Sequence, residues 1–276
     1  MSINLKECWL PFPELYDMDS KAEKELEKLL RADCVYLSLE YRSPEKDDLN
    51  TYLEYWKKVL QLAPSDGILV ELGVFQGTSA NLISDALHSR GRFDTVYGFD
   101  CFSGLPEGWR GLAKGTFSVD SLPAVRSNVR LIDGLFSDTL PEFCKEKKGQ
   151  KISFLHMDAD LYSSTMTGFK ELHHMFVPGT IIAFDEFALW PGFYGEKQSE
   201  FEALMDASEL YGFKYEYVLR GWDHPNSRFI PSKQNAISDL SKIAVESGNE
   251  WKYSSTLEPK VSAREKAVIR ITDVQQ

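Results

Sequence analysis

The amino-acid sequence predicts an α/β fold built on a doubly wound, mostly parallel sheet of seven strands, preceded by N-terminal helices. Three observations support this fold. From residue 67 onward, short apolar runs alternate with longer segments of helical periodicity, which is the pattern of parallel strands joined by helices. Several apolar runs are nearly continuous, as expected for strands that are buried on both faces. Turn-forming residues separate the two kinds of segment.

Residues 1–62 form a predicted helical extension at the periphery of the fold. One helix is expected in KAEKELEKLLRA, where three leucines share a face and Asp19 or Ser20 can cap the first turn. A second helix is expected to begin at Ser43-Pro44 and to end near residue 62, where APSDG interrupts it. Two roles are open for this extension, a cover over the active site and a homodimer surface, and we favour the homodimer surface.

The main domain is predicted to comprise residues 63–276. Its strands are predicted at 68–72, 95–99, 129–132, 152–157, 180–184, 213–219 and 267–272. Helices are predicted between them at about 78–89, 137–147, 163–176 and 196–211. Residues 220–264 are rich in turn formers and contain one expected helix, at about 235–247, which indicates an insertion before the last strand.

Composition limits the classes of partner. The net charge is −11, from 31 basic and 42 acidic residues, which argues against binding to nucleic acid or to an anionic membrane. The N-terminus has no signal-peptide core, and no run approaches the ~20 apolar residues that span a bilayer. The four cysteines are widely spaced and include no CxxC, so neither a zinc site nor a disulfide framework is predicted. We therefore expect a cytoplasmic protein.

A glycine-rich turn follows the first strand of the main domain, in the sequence ELGVFQGTS from Glu71 to Ser79. Gly73 and Gly77 allow a sharp turn and the close approach of a ligand, and Thr78 or Ser79 is expected to open the next helix. The motif is neither a P-loop nor GxGxxG. An acid before such a turn suits a ligand that carries a cationic amino group.

A single acid, Asp100, ends the second strand and lies 27 positions after Gly73. An acid in this place is well positioned to accept hydrogen bonds from ribose hydroxyls. Together with the glycine-rich turn, it predicts a ligand that contains a nucleoside.

Two pairs of carboxylates follow or end two successive strands. Asp158 and Asp160 come after ISFLHM, and Asp185 and Glu186 lie in TIIAFDEF. The carboxyl ends of parallel strands meet at one edge of a sheet, where ligands bind. Carboxylate oxygens suit Mg²⁺, Mn²⁺ or Ca²⁺ better than zinc, so a site for a hard divalent cation is predicted there.

His156 precedes Asp158 by two residues and therefore faces the same way from the strand. It either supports the metal site or is an ordinary histidine of the sheet. The sequence leaves both interpretations open.

Five segments, in this order and at these spacings, resemble the macrocin O-methyltransferase family: GVFQGTS, VYGFDCFSGLPEGW, LIDGLFSDTLPEF, LHMDADLYSST and FDEF. The resemblance covers about residues 68–219. It implies a Rossmann-like class I methyltransferase sheet, S-adenosylmethionine as methyl donor, and Mg²⁺ or another hard divalent cation. It also implies transfer to a hydroxyl of a small molecule, for example a sugar in a natural product.

The resemblance further implies roles for individual residues. The cofactor positions are Glu71, Gly73, Gly77, Thr78, Ser79, Asp100, Cys101, Phe102, Asp133, Gly134, Phe136 and Asp158. The metal positions are Asp160, Asp185 and Glu186, although the family often has Asp-Asp where this chain has Asp185-Glu186. The catalytic candidates are Asp158, beside the transferring methyl group, and His224, a histidine late in the chain.

Two alternatives belong to other functional classes. Asp158-Ala159-Asp160 is also a DxD motif, which in a nucleotide-sugar glycosyltransferase would hold a metal–diphosphate group. Against this, the glycine-rich turn comes first and the DxD motif comes late. The other alternative is a non-catalytic protein that binds a nucleoside.

Overall fold

A computed structural model of the chain describes residues 18–38, 46–188, 193–224 and 264–275. Its helices are α1 (Ser20–Leu30), α2 (Lys46–Leu62), α3 (Thr78–His88), α4 (Phe136–Glu146), α5 (Tyr162–Leu172) and α6 (Glu200–Tyr211). Its strands are β1 (Cys34–Ser38), β2 (Ile68–Leu72), β3 (Val96–Asp100), β4 (Val129–Asp133), β5 (Ile152–Met157), β6 (Ile181–Ala188), β7 (Phe213–His224) and β8 (Arg264–Val274).

The described strands form one sheet in the order β1-β7-β8-β6-β5-β2-β3-β4. β8 runs antiparallel to its neighbours β6 and β7, and the other neighbouring pairs are parallel. This confirms the predicted doubly wound, mostly parallel fold. The chain proceeds outward from β2 in one direction and from β5 in the other, so the topological switch point lies between these two strands.

All seven predicted strands form, and β1 adds an eighth at one edge of the sheet. It pairs in parallel with β7, from Cys34 opposite Arg220 to Ser38 opposite His224. The prediction of an entirely helical extension is therefore wrong for this segment. Its sequence, CVYLS, is apolar and contains β-branched and aromatic residues that favour a strand when a free edge is available.

Helices cover both faces of the sheet. α1, α4, α5 and α6 pack on one face, where Phe169 of α5 stacks on Phe213 of β7 with ring centroids 5.6 Å apart. α2 and α3 pack on the other face, and Trp56 of α2 meets Phe154 of β5 edge to face at 6.1 Å. α2 is thus part of the core and not peripheral, because its apolar stripe covers the sheet beside α3.

Two predicted features lie outside the described residues: the helix start at Ser43-Pro44 and the helix at about 235–247. The division between residues 62 and 63 stays a prediction. Within the described ranges, no helix has both the length and the apolar character needed to cross a membrane.

α6 begins four residues later than predicted, at Glu200. Ser199 caps it, because its hydroxyl accepts a hydrogen bond from the amide of Glu202 at 3.2 Å. This start places a glutamate in the first turn, at the edge of the sheet where β5 and β6 end.

Candidate functional site

Gly73 and Asp158 meet directly at the switch point of the sheet. They follow Leu72 and Met157, which are register partners at the ends of β2 and β5. The amide of Asp158 donates to the carbonyl oxygen of Leu72 at 2.8 Å. Gly73 has φ +92°, and a Cβ built there would lie 1.8 Å from the carbonyl oxygen of Asp158. Only glycine fits this contact between the turn after β2 and the acid after β5.

Asp158, Asp185 and His156 bring possible metal ligands together at this edge. One ligand atom from each lies within 4.8 Å of the other two. The imidazole is buried, whereas both aspartates are partly exposed. We call this set the acid–histidine group. Two carboxylates and an imidazole are suitable ligands for a divalent cation.

Burial and, after it, repulsion within the acid–histidine group shift the pKa of Asp158. Burial of the carboxyl group, followed by the negative charge of Asp185, raises this pKa well above its ordinary value. Positive charge from His156 and Lys266 acts in the opposite direction but does not outweigh these effects. The group is therefore a place where an additional cation would be stabilised.

His156 is held by a buried hydrogen bond to Glu71. Its Nδ1 donates to Oε1 of Glu71 at 2.9 Å, and the two side chains are 1% and 0% exposed. Burial opposes protonation of the imidazole, but the hydrogen bond to Glu71 and the nearby carboxylates outweigh it and raise the pKa of His156. Oε2 of Glu71 and Nε2 of His156 are buried and have no hydrogen-bond partner within the described ranges.

Asp185 and Glu186 have different partners. Lys266 of β8 donates to Oδ1 of Asp185. Arg110, from the loop after β3, donates to Oε2 of Glu186 at 2.7 Å. Of the predicted metal positions, Asp185 thus belongs to the acid–histidine group, and Asp160 and Glu186 do not.

Glu200 is a buried acid of the site that the sequence did not single out. It is 1% exposed, and its Oε1 accepts from the amide of Ala159 at 3.2 Å. Burial, followed by the negative charges of Asp158 and Asp185, raises its pKa well above the ordinary value. In the sequence it resembles any acidic residue in the first turn of a helix, so no local signal distinguishes it.

Asp100 organises the glycine-rich turn. Its Oδ2 accepts from the amides of Val74 and Phe75 at 2.9 and 2.8 Å, and its Oδ1 accepts from the amide of Phe102 at 2.7 Å. The acid thereby ties the loop after β2 to the loop after β3. The sequence did not predict that Asp100 holds the glycine-rich turn in place.

The other predicted cofactor residues gather at the ends of β2, β3 and β4. Gly77 is the N-cap of α3, with φ +81°, and Thr78 and Ser79 form the first turn of that helix. The thiol of Cys101 donates to the carbonyl oxygen of Gly104 at 3.2 Å, and Phe102 is 7% exposed.

The last three positions follow in β4 and α4. Asp133 ends β4 opposite Asp100, Gly134 donates its amide to the carbonyl oxygen of Asp100 at 3.0 Å, and Phe136 begins α4. The predicted cofactor residues therefore line one continuous edge.

His224 is the last residue of β7. β8 lies between β7 and β6, so His224 is two strands away from Asp185 in the sheet. Its side chain lies outside the described part of the chain. Its assignment as a catalytic base stays a prediction.

The loop between β3 and β4 is fastened to neighbouring elements at three points. Glu107 accepts from the hydroxyl of Ser163 at 2.5 Å, the indole of Trp109 donates to the carbonyl oxygen of Gln198 at 3.1 Å, and Arg110 binds Glu186. Trp109 is 5% exposed, which makes it an anchor of this loop.

Comparison with known proteins finds a family match in the central part of the chain. Residues 70–187 match a family described as "Methyltransferase domain". The 8-demethyl-8-(2,3-dimethoxy-alpha-L-rhamnosyl)-tetracenomycin-C 4'-O-methyltransferase of Streptomyces olivaceus is 27% identical, over 50% of this chain and 59% of that protein. The chain thus spans somewhat over half of this curated relative.

Two solved structures are also similar. A calicheamicin methyltransferase is 18% identical, with a TM-score of 0.49 over 78% of this chain and 93% of that chain. The O-methyltransferase NovP is 24% identical, with a TM-score of 0.42 over 60% of this chain and 74% of that chain.

The family match extends from β2 to β6 and so contains the glycine-rich turn and the acid–histidine group. It favours the methyltransferase interpretation over a glycosyltransferase with a DxD motif. Residues 70–187 are therefore similar to a methyltransferase domain, in agreement with the resemblance to a class I methyltransferase.

Proposed function

We propose that this protein is an S-adenosylmethionine-dependent O-methyltransferase that methylates a hydroxyl of a small molecule and uses a divalent cation, with Mg²⁺ as the first candidate. The observation that carries this proposal is the direct contact between Gly73 and Asp158. It brings the turn that would bind the methyl donor next to the acids that would bind the acceptor. Methyl transfer requires that donor and acceptor meet at one point in a fixed orientation.

The donor pocket is proposed to follow the loops after β2, β3 and β4. Glu71 offers a buried oxygen, Oε2, to the amino group of the cofactor. Asp100 accepts one amide at Oδ1, and a carboxylate oxygen can accept a further donor such as a ribose hydroxyl. Its other oxygen keeps the glycine-rich turn in place for the cofactor.

The acid–histidine group fits a divalent cation by the chemistry of its donors. Asp158 and Asp185 supply hard oxygen atoms, and Glu71 fixes the orientation of His156. When bound, a divalent cation would stabilise negative charge on the oxygen of the acceptor. Burial, followed by the negative charge of Asp185, raises the pKa of Asp158, and a bound cation would offset both effects.

Asp158 and His224 are the proposed candidates for the proton acceptor. A raised pKa makes the Asp158 carboxylate a better base, and its partial exposure allows contact with an acceptor.

The curated relative from Streptomyces olivaceus is named for O-methylation of a rhamnosyl compound, which supports a glycoside hydroxyl as the first acceptor class to examine. A homodimer, a cytoplasmic location, and the absence of nucleic-acid and membrane partners remain proposals from the sequence.

Calorimetry with S-adenosylhomocysteine and, separately, with a UDP-sugar tests the cofactor. We expect binding of the former alone. Transfer is then tested by mass spectrometry with S-adenosylmethionine, Mg²⁺ and a panel of hydroxylated sugars and glycosides. Failure to bind either S-adenosylmethionine or its product would contradict the proposal. Full turnover in EDTA would contradict the metal requirement alone.

A further inference from the structure

Lys266 is a charged residue in the interior of the sheet. It lies near the start of β8, between β6 and β7, and is 4% exposed. Lysine is among the residue types that are least often buried, because an ammonium group loses its hydration inside a protein. The position therefore requires a compensating negative charge, and Asp185 supplies it, since Nζ of Lys266 donates to its Oδ1.

The ammonium of Lys266 thus contacts a member of the acid–histidine group. Asp185 shares this group with Asp158 and His156. The positive charge of Lys266 also acts on Asp158, and Glu200 adds another carboxyl group close by. Lys266 is therefore a built-in cation at the place where a divalent ion would bind.

A second ion pair that involves β8, on its other side, lies in a different setting. Lys214 of β7 and Asp273 of β8 are 2.9 Å apart, but their side chains are 68% and 53% exposed. Water and salt screen such a pair. The Lys266–Asp185 side chains are only 5% and 25% exposed, so the charge of Lys266 acts on its surroundings with much less screening.

We propose that Lys266 is a positioning residue that sets the affinity of the acid–histidine group for a divalent cation, because its ammonium neutralises Asp185 in the metal-free protein and opposes the entry of a second cation. This inference rests on the proposed metal-dependent function. Removal of the charge should leave the carboxylates less neutralised, so that the group binds Mg²⁺ more tightly and depends on it more for stability.

The test compares the wild type with Lys266→Met, which keeps most of the length of the side chain, and with Lys266→Gln, which keeps a hydrogen-bond donor but no charge. Calorimetric titration with MgCl₂ should show affinity higher by about ten-fold or more in both variants. Thermal unfolding should give a lower Tm in EDTA and a larger gain with Mg²⁺ than in the wild type. Lys214→Met is the matched control and should behave as the wild type does.

Unchanged or weaker Mg²⁺ binding in Lys266→Gln would overturn the inference, whether or not Lys266→Met folds. An equal gain in Tm with Mg²⁺ for wild type and variants would also overturn it. If the wild type and both variants fail to bind Mg²⁺ while S-adenosylhomocysteine still binds, the metal requirement and this inference are both wrong. The proposed cofactor would stand in that case.

Discussion

Asp185 and Glu186 are consecutive residues of β6, yet each binds a different cation of the protein. Lys266 donates to Asp185, and Arg110 donates to Glu186 at 2.7 Å. The alternation of side chains along a strand accounts for this separation. Asp185 therefore joins the acid–histidine group, whereas Glu186 fastens the loop between β3 and β4.

The first prediction concerns this loop. Replacement Glu186→Gln removes the charge that holds Arg110, and the side chains of the pair are only 16% and 9% exposed. Loss of one partner of a buried pair costs about 3 kcal/mol, so the loop should detach more often. Limited trypsin digestion should then cleave faster after Arg110 and Lys114, as seen by mass spectrometry.

Glu142→Gln is the control, because Glu142 pairs with Lys145 on an exposed face of α4 and is 73% exposed. Its cleavage rate in the loop should equal that of the wild type. An unchanged cleavage rate in Glu186→Gln, together with lost Mg²⁺ binding, would instead assign Glu186 to the metal site.

The second prediction separates Asp158 from Asp160. Asp158→Asn should weaken Mg²⁺ binding by about ten-fold or more, because this carboxylate belongs to the acid–histidine group. Asp160→Asn should have the smaller effect. Asparagine tolerates the left-handed conformation of Asp160, with φ +57°, so this variant preserves the backbone. Calorimetry measures both, and the reverse order would support the metal role that the sequence suggested for Asp160.

The third prediction concerns the contact of Gly73 with Asp158. Gly73→Ala places a methyl group 1.8 Å from a backbone oxygen, so the loops must move apart. We expect a Tm well below that of the wild type and loss of S-adenosylhomocysteine binding. Gly91→Ala is the matched control: its φ is +69°, but nothing lies within 4 Å of the added Cβ. It should cost only the ~1–2 kcal/mol of left-handed backbone strain and leave binding unchanged; equal effects of the two substitutions would refute the close contact.

The fourth prediction concerns Cys144. Burial, followed by the negative charge of Glu171, raises the pKa of its thiol to about 11. At pH 8 the thiolate fraction is then about 100-fold below that of a thiol of ordinary pKa. The higher nucleophilicity of a basic thiolate offsets part of this, so alkylation should be about ten-fold slower.

Iodoacetamide labelling with peptide mapping checks this in the folded protein and in urea. Because the pKa is raised, the rate at Cys144 should still increase between pH 8 and pH 10. A rate that levels off below pH 9 would be inconsistent with the buried thiol.

The sequence predicted the parallel strands because their apolar runs and the turns between them are local signals. β1 was missed because its partner, β7, lies far away in the sequence, with Cys34 opposite Arg220, and because five residues carry little periodicity. The acids at the ends of β5 and β6 were found for the same local reason, since a carboxylate after an apolar run is visible in the sequence.

The residues that bind these acids could not be predicted from the sequence. Lys266 reaches Asp185 only because β8 is antiparallel and begins at the edge where β6 ends. Arg110 reaches Glu186 through a loop whose path no local pattern fixes. His156 stayed ambiguous, since its bond to Glu71 depends on the pairing of β2 with β5.

The pairing of Asp223 with Arg264 fixes where the chain leaves and re-enters the sheet. Residues 225–263 connect the end of β7 to the start of β8, at the edge of the sheet that also carries Asp185. A segment anchored in this way can be shortened, extended or exchanged without altering the register of any strand. Exchange of this segment would therefore leave the glycine-rich turn and the acid–histidine group in place.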